Sequence, residues 1–302
     1  MEEIIKNSNG VYSLTLDQLK ETHKENYANG LPVMGIYHFA FIERLLELLQ
    51  AAGISYEVNE IFAADNRDRY RPGVTILQDV VNQHNEVTLD AHIFRRVYAN
   101  INLKNELVKG EVSMNMAVAY HQKGIQVAFG PYVHVCHNQT ILGAQDVFST
   151  TSMKFLDSTR KPVDTPSAML TAVELYLSEF SNRVNESQEI VKKMMDTPFR
   201  HMTFRALLDR LMYKRICHDT HDKSIHKIDP YPLNSSQINA GVERFLIDET
   251  KAIKENRFLS FWEAMQAFNY ALKPTTSEIP SLIQQNSLLT KVFIDIMSDL
   301  TD

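Results

Sequence analysis

The sequence predicts an α+β protein: a mixed α/β N-terminal part built on an antiparallel, hairpin-containing sheet, followed by an all-helical C-terminal part. Three observations predict it. Val112, Met114, Met116, Val118 and Tyr120 alternate strictly with Ser113, Asn115, Ala117 and Ala119, which is the two-residue period of a strand. Ile125, Val127 and Phe129 resume the alternation after the turn His121-Gln122-Lys123-Gly124, where a glycine suits positive φ. Beyond about Asp157 the apolar residues recur every three to four positions instead, the period of amphipathic helices. Residues 1–160 are assigned to the mixed part and residues 161–302 to the helical part, and the two can pack as one unit.

Taken in order, the chain opens on a short strand or coil. A helix is expected over residues 15–27, with Leu16, Leu19 and His23 on one face, before the breaker Asn29-Gly30-Leu31-Pro32. Phe39, Ile42, Leu45, Leu46 and Leu49 form the apolar stripe of the next helix, and Gly53 stands where a left-handed C-cap is expected. Residues 54–58 alternate like a half-buried strand, and Phe94-Arg95-Arg96-Val97-Tyr98-Ala99-Asn100-Ile101-Asn102-Leu103 reads as another. Tyr132 to Val135 extends the strand alternation past Gly130-Pro131, a step expected to be a bulge or a bend between two short strands.

The polar, proline-punctuated connector 158–166 leads into the helices. Thr165 is the expected N-cap with Pro166 in the first turn. One face then runs Leu170, Val173, Leu177, Phe180, Val184, with continuation toward Met194, and Pro198 ends the helix. Thr203 is the expected cap of a helix with core residues Phe204, Leu207, Leu208, Leu211 and Ile216. Further helices are expected from Ser235 or Ser236 through Ile253, over residues 260–272 and over residues 279–300.

Composition excludes several classes. With 302 residues, 44% hydrophobic, the chain can bury a sizeable core, which excludes wholesale disorder. Two cysteines cannot build a disulfide framework. Met1-Glu2-Glu3-Ile4-Ile5-Lys6 lacks the basic-then-apolar order of a signal peptide, and no apolar run is long enough to span a bilayer. A cytoplasmic protein without membrane association is expected. A net charge of −6 provides no global attraction to nucleic acid, so such binding requires a local basic patch.

One such patch exists. Residues 192–227 hold nine Lys or Arg against four Asp, a local charge of +5, with Arg200, Arg205, Arg210, Lys214 and Arg215 around an apolar helix stripe. These five are the candidate contacts for nucleic acid or a protein partner, with Phe199 and Tyr213 as candidate base-stacking rings. The ordinary alternative is a solvated helix face. Arg67, Arg69 and Arg71 around Tyr70 make a secondary candidate binding loop, although Asp65 and Asp68 can pair with them locally.

No cofactor and no catalytic residue is expected. The thiols and imidazoles group suggestively: His134-Val135-Cys136-His137 near the hairpin, and Cys217-His218-Asp219-Thr220-His221 at a helix end. Cys136, His137, Cys217 and His221 could supply four zinc ligands. Against this, neither spacing matches a standard zinc motif, and neighbours on a strand point to opposite sides. There is no phosphate-binding glycine loop, no His-Glu-x-x-His and no Gly-x-Ser-x-Gly elbow. Trp262 lies in Phe258-Leu259-Ser260-Phe261-Trp262-Glu263-Ala264-Met265-Gln266-Ala267-Phe268-Asn269-Tyr270, whose helical aromatic spacing reads as core.

Three segments together resemble phage- and plasmid-like protein families of unknown function. Tyr132-Val133-His134-Val135-Cys136-His137-Asn138 is similar to their Val-x-Val-Cys-x-Asn strand step. The strand at residues 94–101 sits where those proteins carry one before the hairpin, and Ser260-Phe261-Trp262-Glu263-Ala264-Met265-Gln266-Ala267-Phe268-Asn269 is similar to their C-terminal Trp-to-Asn helix. Gln139 departs from the usual small residue, and the Trp-to-Asn spacing is longer. The resemblance covers residues 90–290 and implies an origin in a phage or other mobile element, hence a bacterial host cytoplasm; it implies no catalytic residues. Three functions follow as expectations. The first is a non-enzymatic, homo-oligomeric mobile-element protein that binds DNA, including single-stranded DNA, in replication or recombination. The second is a counter-defence protein that inhibits a host immune complex. The third is a metal-dependent enzyme using the Cys/His clusters.

Overall fold

The alternating run at residues 112–120 becomes a central strand of one antiparallel sheet. The structure, a computed structural model, describes residues 5–6, 11–22, 35–65, 94–121, 124–133, 138–142, 146–151, 165–219, 232–272 and 282–300. The strands are β1 (Ile5–Lys6), β2 (Val11–Leu14), β3 (Glu57–Asp65), β4 (Phe94–Val108), β5 (Val112–His121), β6 (Gly124–Val133), β7 (Asn138–Gln139) and β8 (Val147–Thr151). They lie side by side in chain order from β1 to β7, and β8 pairs with β6 along residues 124–128. Helices α1 (Leu16–Glu21) and α2 (His38–Ala51) belong to the N-terminal part. The helical part comprises α3 (Thr165–Ser178), α4 (Phe180–Asp196), α5 (His201–Asp219), α6 (Ser235–Lys254), α7 (Phe261–Asn269) and α8 (Leu282–Asp299). The α+β class with a helical C-terminal part is therefore observed. No helix among the described residues is long and apolar enough to cross a membrane.

The two sides of β5 explain how the layers assemble. Its large side chains, Val112, Met114, Met116, Val118 and Tyr120, enter one continuous core with Phe41 and Leu45 of α2 and with residues of the C-terminal helices as far as Met297. That core takes residues from both parts of the chain. The small side presents Ala117 and Ala119 beside Ala128 of β6, and Ile141 and Ile283 pack onto them. Short side chains here let a helix and a chain segment lie close to the sheet. All ten β5 residues are consequently buried.

Local chemistry sets the helix ends. Thr15, Asn234 and Ser260 each cap a helix through a reciprocal capping box, with Gln18, Gln237 and Glu263 as the returning side chains. Gly53 adopts φ +69 after α2, where the sequence expects a left-handed cap. Inside α6, Gly241 lets α7 approach: a Cβ there would sit 2.5 Å from Phe268 Cδ1.

Four expectations are corrected. The helix expected over residues 15–27 runs over Leu16–Glu21, and Thr22 turns to extended backbone while its hydroxyl donates to the Leu19 carbonyl at 2.6 Å; residues 23–27 lie outside the described residues. Gly130-Pro131 is neither bulge nor bend, because β5 and β6 pair in unbroken register from Val112↔Val133 to His121↔Gly124. The Pro131 carbonyl accepts from Thr140 N–H at 2.7 Å. Within a strand a residue's N and O face the same neighbour, so the missing proline N–H falls on that flank and costs the β5 ladder nothing. The expected single helix after Thr165 is two, broken at Glu179, where the Ser178 hydroxyl competes for the Leu175 carbonyl at 2.6 Å. α5 starts at His201 rather than behind a Thr203 cap. Phe199 N–H donates to Leu259 O at 2.7 Å and Phe261 N–H to Thr197 O at 2.9 Å, which fixes the chain's direction immediately before the helix.

Candidate functional site

The described surface carries a cleft of about 790 Å³ where α6, α7 and the link between them meet the end of the β5–β6 hairpin. α6 contributes Arg244, Asp248 and Lys251, and its C-cap Glu255 follows on the same side, at intervals of four, three and four residues. α7 contributes Trp262 and Gln266, and its C-cap Tyr270 follows, again at intervals of four. Val112, Val133 and Met195 supply apolar floor from β5, β6 and α4.

The cations of the cleft are each held by its own carboxylates. Asp248 accepts from Arg244 Nε at 2.8 Å and lies 3.5 Å from Lys251 Nζ. Arg257 reaches Glu255 at 2.8 Å and Glu263 at 2.9 Å. The hydrogen bond to Glu255, then the charge of Glu263, raises the Arg257 guanidinium above its ordinary range. Glu263 also accepts from Ser260 N–H at 2.8 Å, so the α7 cap and the ion pair share one carboxylate. The Arg244 guanidinium lies 5.3 Å from the centre of the Tyr270 ring. With each cation of the cleft already facing a carboxylate, the site is not built to draw in an anion. What it presents is aromatic and apolar: Phe258 is 68% exposed and Tyr270 46%, at the two ends of a buried Trp262.

The sequence treats the whole aromatic run 258–270 as core, and this is correct for Phe261, Trp262, Met265 and Phe268. Phe258 and Tyr270 escape it because they flank α7 on either side. The signal available is their position outside the helix, Phe258 two positions before the N-cap Ser260 and Tyr270 at the C-cap after the last helical residue.

The basic cluster is divided by the structure. Arg200 and Arg205 are exposed. Arg210 instead pairs with Asp299 of α8. Phe199 is not available for base stacking: it is core, with Phe261 at 5.0 Å and Phe245 at 5.7 Å. Lys214, Arg215 and Cys217 fall in the last turns of α5, and their side chains lie outside the described residues, as does that of Tyr213. Arg67, Arg69, Arg71, Cys136, His137 and His221 also lie outside the described residues. Among the described residues no group of three His, Cys, Asp or Glu side chains is placed to hold a metal ion.

Comparison of the chain with family models, with curated proteins and with solved structures finds no match.

Proposed function

We propose that this protein works by binding rather than by catalysis, and that the α6–α7 cleft holds a polypeptide partner. The observation that carries this reading is the pairing of the cleft's cations with its own carboxylates around exposed Phe258 and Tyr270. An apolar, aromatic centre with a satisfied polar rim is the anatomy of a protein interface, and aromatic and arginine side chains there carry most of the binding energy. The partner that fits presents an apolar anchor flanked by both signs of charge. The resemblance to mobile-element families makes a host protein complex, an immune complex included, the first partner class to test.

Affinity capture from bacterial host lysate with the wild-type chain and with Phe258→Asp as parallel baits tests the reading. A protein retained by the wild type and lost at least tenfold on the variant supports it. Equal recovery on both baits overturns it. The exposed side chain makes the substitution neutral for folding.

The outward Arg200 and Arg205 favour a second reading, in which single-stranded DNA is gripped by phosphate contacts. A labelled single-stranded oligonucleotide, titrated over a salt series, decides it. Binding that weakens with salt and with Arg200→Glu supports this reading, and the absence of binding at low salt removes it.

A further inference from the structure

The solvent side of α5 is built symmetrically. Thr203, Leu207 and Leu211 are buried, and at 100° per residue the opposite face carries Met202, Arg205, Asp209 and Met212. All four are exposed. Met202 is 73% and Met212 50% exposed, although an amphipathic helix ordinarily keeps large apolar groups off this face. About Leu207 the pattern is self-complementary: the methionines stand five positions to either side, and Arg205 and Asp209 two positions to either side. Neither Arg205 nor Asp209 takes part in an ion pair or side-chain hydrogen bond with the described residues of its own chain. Arg210, on the flank, is held by Asp299 and does not compete.

We propose that α5 is a homodimer interface, packed antiparallel on the α5 of a second copy about a two-fold axis level with Leu207. Each Arg205 then meets the partner's Asp209, and each Met202 meets the partner's Met212. Reversing the direction of one helix is what brings position 205 opposite 209 and 202 opposite 212, and a two-fold axis makes both contacts twice. A parallel pairing would set like charges against each other, so the charge pattern selects the antiparallel one. The occupant is therefore a second copy rather than a polyanion, for which Asp209 and the two methionines are unsuited. A contact limited to one helix face belongs to the small, weakly associating class of interfaces.

Sedimentation velocity on the full chain over a series of protein concentrations tests this. The wild type should move from 34.7 kDa toward twice that mass as concentration rises. Arg205→Asp and Asp209→Arg should each weaken self-association at least tenfold, because each sets like charges face to face. An equimolar mixture of the two variants should associate again, since every Asp at 205 or 209 then faces an arginine, and the double variant R205D/D209R should dimerise alone. This rescue also shows that the single variants are folded. A wild type that stays monomeric throughout, single variants that associate like the wild type, or a mixture that fails to associate would each overturn the proposal. So would Asp209→Arg binding single-stranded DNA more tightly with its association unchanged, which would assign the face to a polyanion.

Discussion

A Cβ on Gly130 would clash with the carbonyl oxygen of Thr140. The strand β6 and the segment 138–142 therefore touch backbone to backbone at this point, and only glycine permits it. Thr140 N–H donates to the neighbouring Pro131 carbonyl at 2.7 Å, so the segment is fastened where it is closest. Gly130→Ala should force the two apart and destabilise the fold by about 2 kcal/mol or more, in the range of overpacked cores. Denaturant unfolding measures it, and a change within about 0.5 kcal/mol, the size of an ordinary surface substitution, would show that the contact is looser than described.

Thr140 also joins the sheet to the helical part. Its buried hydroxyl accepts from Gln266 Nε2 at 2.9 Å and from Asn269 Nδ2 at 3.1 Å, both on α7. Asn286 of α8 extends the network by accepting from Ile141 N–H at 2.8 Å. Thr140→Val keeps the shape but removes the shared acceptor from two amides. The cost should be about 3 kcal/mol, since stranded buried donors are penalised beyond the lost bonds. Thr140→Ser keeps the acceptor and should cost about 1 kcal/mol for its missing methyl. Thermal unfolding of the two variants gives the order; equal losses would mean that packing alone holds the segment.

The elements were legible where one periodicity determined them. The strict alternation of β5 gives both its strand character and its two unlike faces, because side-chain direction in a strand follows from position alone. The stripe of α2 and the left-handed Gly53 are local in the same sense. The cleft was not legible, because it unites Val112, Val133, Met195 and the α6–α7 residues, which only the topology brings together. The basic run of α5 likewise could not show that one of its arginines is taken by Asp299, 89 residues away. The Gly130-Pro131 step is not legible from sequence because the rule for proline in sheets needs to know which flank the missing N–H faces, and that flank is formed by residues outside the hairpin.

The Arg210–Asp299 pair should matter little to stability. Both side chains are partly exposed, and such pairs contribute about 0–1 kcal/mol. Asp299→Ala should therefore leave the unfolding midpoint nearly unchanged while releasing Arg210. If α5 grips single-stranded DNA, the variant should bind it more tightly at low salt, read by fluorescence anisotropy; unchanged or weaker binding counts against the DNA reading. A large loss of stability would instead mean that α8 depends on this contact to stay docked.

His38 makes stability fall in mild acid. Its ring is buried at the start of α2, edge-on to Tyr120 at 5.7 Å, and Nδ1 accepts from Phe39 N–H at 2.8 Å. Burial lowers its pKa from 6.5 to about 4, only partly offset by the Phe94 carbonyl. Between those values the unfolded chain binds a proton that the folded chain excludes. The contribution is complete above pH 6.5, declines as pH falls through that value, and is lost by about pH 4. At 1.36 kcal/mol per unit the whole effect is about 3 kcal/mol. His38→Phe keeps a ring in the core and removes the titration, so its unfolding free energy should lose this component of the slope between pH 6.5 and 4. Parallel urea titrations at several pH values check it, and equal slopes for variant and wild type would show that His38 is protonated without cost.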